Sequence, residues 1–326
     1  MIIPPLYSIT SEMLGLISKI DAKRQLLQSL NPKPEIITKI QRISLLKSSL
    51  YSARIEGNSL SWQNLEKSED NKDKKEISNI FQAIQYINKE LNKNTNLTTD
   101  IILSLHQKIM SQLSPDAGHF RREMSAIFNQ AGVAVYLPPP PDKINKLINQ
   151  LINFVNSDVE MFPIISALIS HLIFEKIHPF IDGNGRVGRL LVSTILLIKG
   201  FDFNINIPFE EYIDQRKEDY YYYLDIGMKD PNAYLLFMLK TFNESAELIK
   251  QDVLNEINQN NKIYLPPRQE ELLLIIKEHR TVSFDFLHRR FLQIPKRTLR
   301  NDLQKLTKQN LIIKIGKTRG SYYTVK

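Results

Sequence analysis

The stretch that decides the fold runs His178-Pro179-Phe180-Ile181-Asp182-Gly183-Asn184-Gly185-Arg186-Val187-Gly188-Arg189. Three of the chain's eleven glycines fall between Gly183 and Gly188. Pro179 lacks an amide donor and disfavours helical backbone before it, so a helix is expected to stop near His178. A second helix is expected to start near Gly185. The loop between them gathers unpaired amides beside a helix N-terminus, which suits phosphate oxygens. Arg186 and Arg189 are three apart and occupy neighbouring positions on the new helix. Two guanidinium groups beside an anion nest fit a polyphosphate better than a single carboxylate. Asp182 is a hard oxygen ligand for Mg²⁺, and His178 is a candidate general base near neutral pH. Singly, these residues read as a helix cap, a turn and a solvated face. Twelve residues in this order read as a nucleotide site.

Working outward, helical spacing precedes and follows the loop. Leu14, Ile17 and Ile20, then Ile36, Ile37, Ile40, Ile43 and Leu46, predict helices either side of an Asn31-Pro32-Lys33-Pro34 break. The charged run from Lys67 to Glu76 reads as a solvated loop or a helix start. Helices are expected over 77–91, 99–113, 143–156, 162–177, 185–199, 212–226 and 231–261. Between the second and third, Met124 to Phe128 and Val133 to Tyr136 flank Asn129-Gln130-Ala131-Gly132, the pattern of a β-hairpin. The longest apolar run, Leu190 to Ile198, is nine residues, far short of the roughly 20 a membrane helix needs. Met1 to Pro5 has no basic leader before an apolar core, so a soluble, cytoplasmic protein without membrane contact is expected.

Composition divides the chain. It has 326 residues, 42% of them hydrophobic, no cysteine and a net charge of +8. The missing cysteines exclude disulfide scaffolds, thiolate metal sites and cysteine nucleophiles. From Lys262 to Lys326 there are 15 Lys and Arg against 5 Asp and Glu, which leaves 28 against 30 in the rest. After a linker at Tyr264-Leu265-Pro266-Pro267, three helical stretches (268–278, 283–291, 295–310) precede two β-like runs, 311–315 and 321–325. That is the order of a winged helix-turn-helix. Its second turn-motif helix would carry Lys296, Arg297, Arg300, Lys305 and Lys308, with Lys317 and Arg319 in the wing. DNA and protein both remain open as its partner.

The loop resembles, at every defined position, the signature of the Fic (Fic/Doc) family: His, any residue, Phe, any residue, Asp or Glu, Gly-Asn-Gly-Arg, two residues, Arg. The similarity extends over roughly Ile77 to Met228, including Gly118-His119-Phe120-Arg121 and Arg216 with Tyr220-Tyr221. It implies a mainly α fold, a helical core with a β-hairpin flap that pairs with the target, ahead of the small winged helix. The implied divisions are 1–76 (N-terminal, inhibitory), 77–261 (catalytic) and 262–326. It implies transfer of AMP from ATP, with Mg²⁺, to a Ser, Thr or Tyr hydroxyl of a target protein or of the chain itself. His178 would be the base, Phe180 the loop anchor and Asp182 the Mg²⁺ ligand. Gly183, Asn184 and Gly185 would form the anion cradle, Asn184 adding a side-chain donor. Arg186 would hold the β-phosphate and Arg189 the γ-phosphate. Gln215, Tyr220 and Tyr221 would meet the nucleoside, although Gln215 departs from the family's usual Asn. The Doc branch, which phosphorylates, alters the last positions, whereas Arg189 is present here. Ser52-Ala53-Arg54-Ile55-Glu56-Gly57 resembles the family's inhibitory pattern, which implies that Glu56 pairs with Arg189. The same Glu56 could instead orient water to remove AMP from a modified target. A homodimer is also implied, and a DNA-binding regulator with a nucleotide-sensing pocket stands as the alternative.

Overall fold

A computed structural model of the chain describes residues 1–30, 32–65, 72–128, 134–260, 265–316 and 321–325. The described chain is mainly helical and divides into two compact units, Met1–Ile257 and Asn258–Lys326.

The first unit opens with α1 (Ser11–Ser29) and α2 (Pro34–Ile55), then α3 (Lys72–Glu90) and α4 (Thr99–Ile109). A short hairpin, β1 (Ile127–Phe128) and β2 (Ala134–Tyr136), follows. Next come α5 (Pro141–Asn156), α6 (Pro163–Ile177), α7 (Asn184–Ile198), α8 (Glu210–Gln215), α9 (Lys217–Ile226) and α10 (Pro231–Asn260). Helix α6 is apolar on every side, and all but two of its residues are buried, from Ile164 through Ile177. A helix wet on no face must be sheathed by others. It packs most extensively on α7, and α5 also lies against it. The core is continuous from Met13 and Ile20 in α1 to Phe242 and Val253 in α10.

Capping explains several boundaries. Thr10 and Thr98 accept the amides of Met13 and Ile101 at the starts of α1 and α4. Prolines open α2, α5 and α6, where the missing amide costs nothing. The single helix expected over 212–226 is two, because Arg216 leaves helical geometry at φ −126° and ψ 42°. The charged run begins α3 at Lys72, five residues before its apolar spacing starts, and its 67–71 part lies outside the described residues. The hairpin strands are antiparallel, pairing Ile127 with Tyr136 and Phe128 with Ala134. They are shorter than expected, and the Asn129-to-Gly132 turn is outside the described residues.

The second unit has its own core around Leu272, Ile276, Leu287, Leu299, Leu303 and Leu306. Its helices are α11 (Pro267–His279), α12 (Phe284–Arg290) and α13 (Lys296–Lys308). The wing has three strands where two were expected. β3 (Thr281–Ser283) lies beside β5 (Tyr322–Val325), which pairs in turn with β4 (Ile312–Ile315). Three residues are too few for period-two alternation to register in sequence. Lys317 and Arg319, expected in the wing, lie outside the described residues, as do the linker's Tyr264 and Lys326. Among the described residues no helix is long and apolar enough to cross a membrane.

Candidate active site

The site is built on the turn from α6 to α7. His178 ends α6 in the left-handed region, φ 49° and ψ 60°, a conformation uncommon outside glycine. Such a backbone persists only where its surroundings over-determine it. Here Arg121 does so: its Nε donates to the His178 carbonyl at 2.8 Å and its amide to the Pro179 carbonyl at 2.9 Å. The Arg121 guanidinium also donates to the Glu123 and Pro139 carbonyls, so one buried residue holds four backbone carbonyls, three through its cation and one through its amide. Phe180 is fully buried and stacks flat on His106, ring centroids 3.6 Å apart. His106 accepts the Gly118 amide at Nδ1 and therefore carries its proton on Nε2, which donates to the Asp182 carbonyl at 3.0 Å. Burial pushes its pKa down to about 4, so it is a neutral strut.

The cradle follows. Gly183 caps α7 at φ 82°, a value that favours glycine, and a Cβ there would meet Met110 Sδ at 2.9 Å. Asn184 was expected to offer its side chain to an anion. Instead its carboxamide closes on Phe180 at both ends, accepting the Phe180 amide and donating to the Phe180 carbonyl, each at 2.9 Å. That side chain braces the loop, and the first-turn backbone amides stand open for a ligand.

Glu56 stands in the cradle. A Cβ on Gly185 would lie 2.3 Å from Glu56 Oε1 and 3.0 Å from Arg189 Nη1. Arg189 donates to Glu56 Oε1 through Nη2 at 2.9 Å, to the Ser52 hydroxyl through Nε and to the Ser52 carbonyl. The Ser-x-x-x-Glu spacing puts both side chains on one face of α2, which is why a single arginine receives both. Arg189 is wholly buried and its Nη1 has no hydrogen-bond partner. Burial alone would lower its pKa, but the Glu56 carboxylate, together with Tyr220, Tyr221 and Glu175, outweighs it and the guanidinium stays charged. Helix α2 is fastened in turn to α8, through Lys47–Glu211, Ser48–Glu210 and Arg54–Asp214 contacts of 2.8–3.0 Å.

His178 lies at the other lip. Its Nδ1 is buried without a partner, and burial pushes the pKa down to about 4, so the ring is neutral at pH 7 and able to accept a proton. Asp182 accepts the Gly183 amide and Arg186 Nη2, while its side chain is 64% exposed. Among the described residues no cluster of three acidic or histidine groups exists. A cation here would have one protein carboxylate and take its remaining oxygens from phosphates and water, the habit of Mg²⁺.

The nucleoside assignments divide. Tyr220 is buried, its hydroxyl 3.1 Å from His171 Nε2, and it cannot face a ligand. Successive helical residues point about 100° apart, so one of the pair turns inward and the other outward. Tyr221 is the outward one, half-exposed, donating to the Ile55 carbonyl at 3.2 Å. Gln215 is exposed at the end of α8. Sequence reasoning missed His106, Glu76 and Glu175. Glu76 pairs with Arg186 from inside a run that reads as solvated. Glu175 lies behind the cradle with its side chain 12% exposed, close enough that a Cβ on Gly188 would lie 2.1 Å from its Oε1. Burial raises its pKa to about 8.

Residues 96–196 match the Fic/DOC family and residues 268–321 the DeoR-like helix-turn-helix domain. The protein adenylyltransferase Fic of Drosophila willistoni is 28% identical over 247 residues, covering 71% of this chain and 47% of that protein. Its Drosophila melanogaster counterpart matches over the same shares. The chain thus spans about half the length of the curated relatives it matches. Among solved structures, a Fic family protein from Desulfovibrio desulfuricans G20 has a TM-score of 0.65 at 22% identity, covering 99% of this chain and 98% of that one. A Fic domain containing signaling protein from Bacteroides thetaiotaomicron has a TM-score of 0.62 at 19% identity, covering 74% and 97%.

Proposed function

From a chain that carries a Fic/DOC domain and a DeoR-like helix-turn-helix domain, we propose a protein adenylyltransferase restrained by its own Glu56. The observation that carries this reading is the Glu56 carboxylate seated over Gly185 and paired with Arg189, opposite a neutral His178. A carboxylate bound where amides and a guanidinium converge marks the place of an anion.

In the reaction, His178 takes the proton of a Ser, Thr or Tyr hydroxyl on the target. The freed oxygen bonds to the α-phosphorus of ATP, the bond from that phosphorus to the α–β bridging oxygen breaks, and pyrophosphate leaves. The amides at the start of α7 hold phosphate oxygens, Arg186 neutralises the β-phosphate and Arg189 the γ-phosphate. Mg²⁺, held by Asp182, would offset phosphate charge when bound. While Glu56 occupies Arg189, the γ-phosphate has no partner and the chain stays off. The hairpin of β1 and β2 would receive the target as an added strand.

The full chain, Glu56→Gly and Glu56→Gly/His178→Ala are incubated with Mg²⁺, α-labelled ATP and cell extract. Glu56→Gly should label protein roughly 10–100-fold more than wild type, the worth of a charged hydrogen bond, and the double variant should not. Equal labelling by the single and double variants would overturn the reading. For the second unit, DNA binding is favoured by Lys296, Arg297, Arg300, Lys305 and Lys308, all exposed on α13. Mobility shifts of duplex DNA that weaken with salt, and vanish when residues 258–326 are deleted, test it. Binding insensitive to salt would contradict it.

A further inference from the structure

Arg186 is the other phosphate arginine, and it too is held by carboxylates. Its Nη2 donates to Asp182 at 2.7 Å and its Nη1 to Glu76 Oε1. The two partners differ. Asp182 is largely exposed, whereas the side chains of Glu76 and Arg186 are 14% and 6% exposed. A buried arginine that loses its counter-ion is left as an uncompensated charge. Glu76 has a second contact: its Oε2 accepts Asn58 Nδ2 at 2.8 Å. Asn58 lies two residues beyond Glu56, just past Gly57 at φ 102°. The same Nδ2 also donates to the Asp73 carbonyl, and the Asn58 amide closes the end of α2 on the Ala53 carbonyl. Ser59 adds a tie to the Asp73 carboxylate at 2.6 Å.

We propose that Glu76 is a positioning residue with two duties: one oxygen aims Arg186 at the phosphate cradle, and the other, through Asn58, ties down the turn that carries Glu56. The second duty rests on the inhibitory reading of Glu56; the first does not. The two are separable because each oxygen serves one of them. Asn58→Ala cuts the tether and leaves the Glu76–Arg186 pair. Glu76→Gln keeps an oxygen for Asn58 and removes the charge opposite Arg186.

The readout is the affinity of the full chain for ATP and for ADP, each with Mg²⁺, measured calorimetrically. Their ratio reports whether Arg189 is open to a γ-phosphate, and their common level reports Arg186. Wild type should bind the two alike, and Glu56→Gly should favour ATP. Asn58→Ala should raise the ATP preference about 10–100-fold, the worth of one hydrogen bond to a charged group, with no further rise when added to Glu56→Gly. Glu76→Gln should weaken ATP and ADP together by about 10–100-fold in the Glu56→Gly background, leaving their ratio unchanged. Loosening of the fold would lower both affinities in Asn58→Ala and could not raise the ratio. Should Asn58→Ala fold poorly, Asn58→Asp cuts the same tie by repulsion from Glu76 and carries the same expectation. If Glu56→Gly gains an ATP preference and neither Asn58 variant does, the tether is wrong and the inhibitory reading stands. If Glu56→Gly gains none, the inhibitory reading falls and takes the tether with it. If Glu76→Gln binds both nucleotides like its parent, the positioning role is wrong.

Discussion

The α6–α7 turn and helix α13 are both rich in arginine and glycine-or-lysine punctuation, yet they spend their charges in opposite ways. At the turn, Arg186, Arg189 and Arg121, which reaches it from the connection between α4 and β1, are buried, and each is met by carbonyls or carboxylates. On α13, Lys296, Arg297, Arg300, Lys305 and Lys308 are exposed, and Arg300 lies over the Phe284 ring at 4.7 Å. A buried cation must be paired and has one geometry; an exposed one keeps its water and has many. The first arrangement suits transfer chemistry, where reacting atoms must be placed closely. The second suits a polyanion bound through its summed charge.

Breaking each region should therefore cost different things. The largest effect is expected from His178→Ala, which should lower AMP transfer in the Glu56→Gly background by at least 10²–10⁴-fold in a labelled-ATP assay. Phe180→Ala empties a fully buried position against His106 and should cost about 3–5 kcal/mol in chemical denaturation of the first unit.

A smaller effect is expected from pH. Glu175 has its pKa raised to about 8 by burial, against 4.5 in the unfolded chain. Between those values the folded state keeps a proton that the unfolded state has released, so stability falls as pH rises. His106, His171 and His178 act oppositely, but desolvation lowers their pKa values to about 3–4 and their effect ends near the unfolded value of 6.5. From pH 6.5 to 8.5, Tm should fall in wild type and fall less in Glu175→Gln. An equal fall in both would place the carboxylate in a wetter setting. Smallest of all, Lys305→Ala should leave stability within about 0.5 kcal/mol and lower the slope of log DNA affinity against log salt by about 1. A loss of folding there would show that α13 is braced like the turn.

The same contrast explains what could be read in advance. The helical order, the hairpin and the α6–α7 turn were legible, because Gly183, Pro179 and the two arginines fix backbone and charge locally. The Glu56–Arg189 contact was legible through a motif, although 133 residues separate its members. What long-range packing alone decides was not legible. Glu76 sits in a run of charges that looks solvated, and only the approach of α3 to α7 buries it. His106 is indistinguishable in sequence from any core histidine. Tyr220 and Tyr221 look equivalent until helix phase turns one inward. The Arg216 break and β3 are too local and too short for periodicity to reveal.

The central claim concerns where a nucleotide lies, and a crystal structure of Glu56→Gly with Mg²⁺ and ATP tests it most directly. The triphosphate should run along the amides of residues 184–186 onto Arg186 and Arg189, with its innermost phosphorus presented to the His178 ring. An empty cradle, or a nucleotide whose α-phosphate is turned away from His178 with Glu56 already gone, would contradict it.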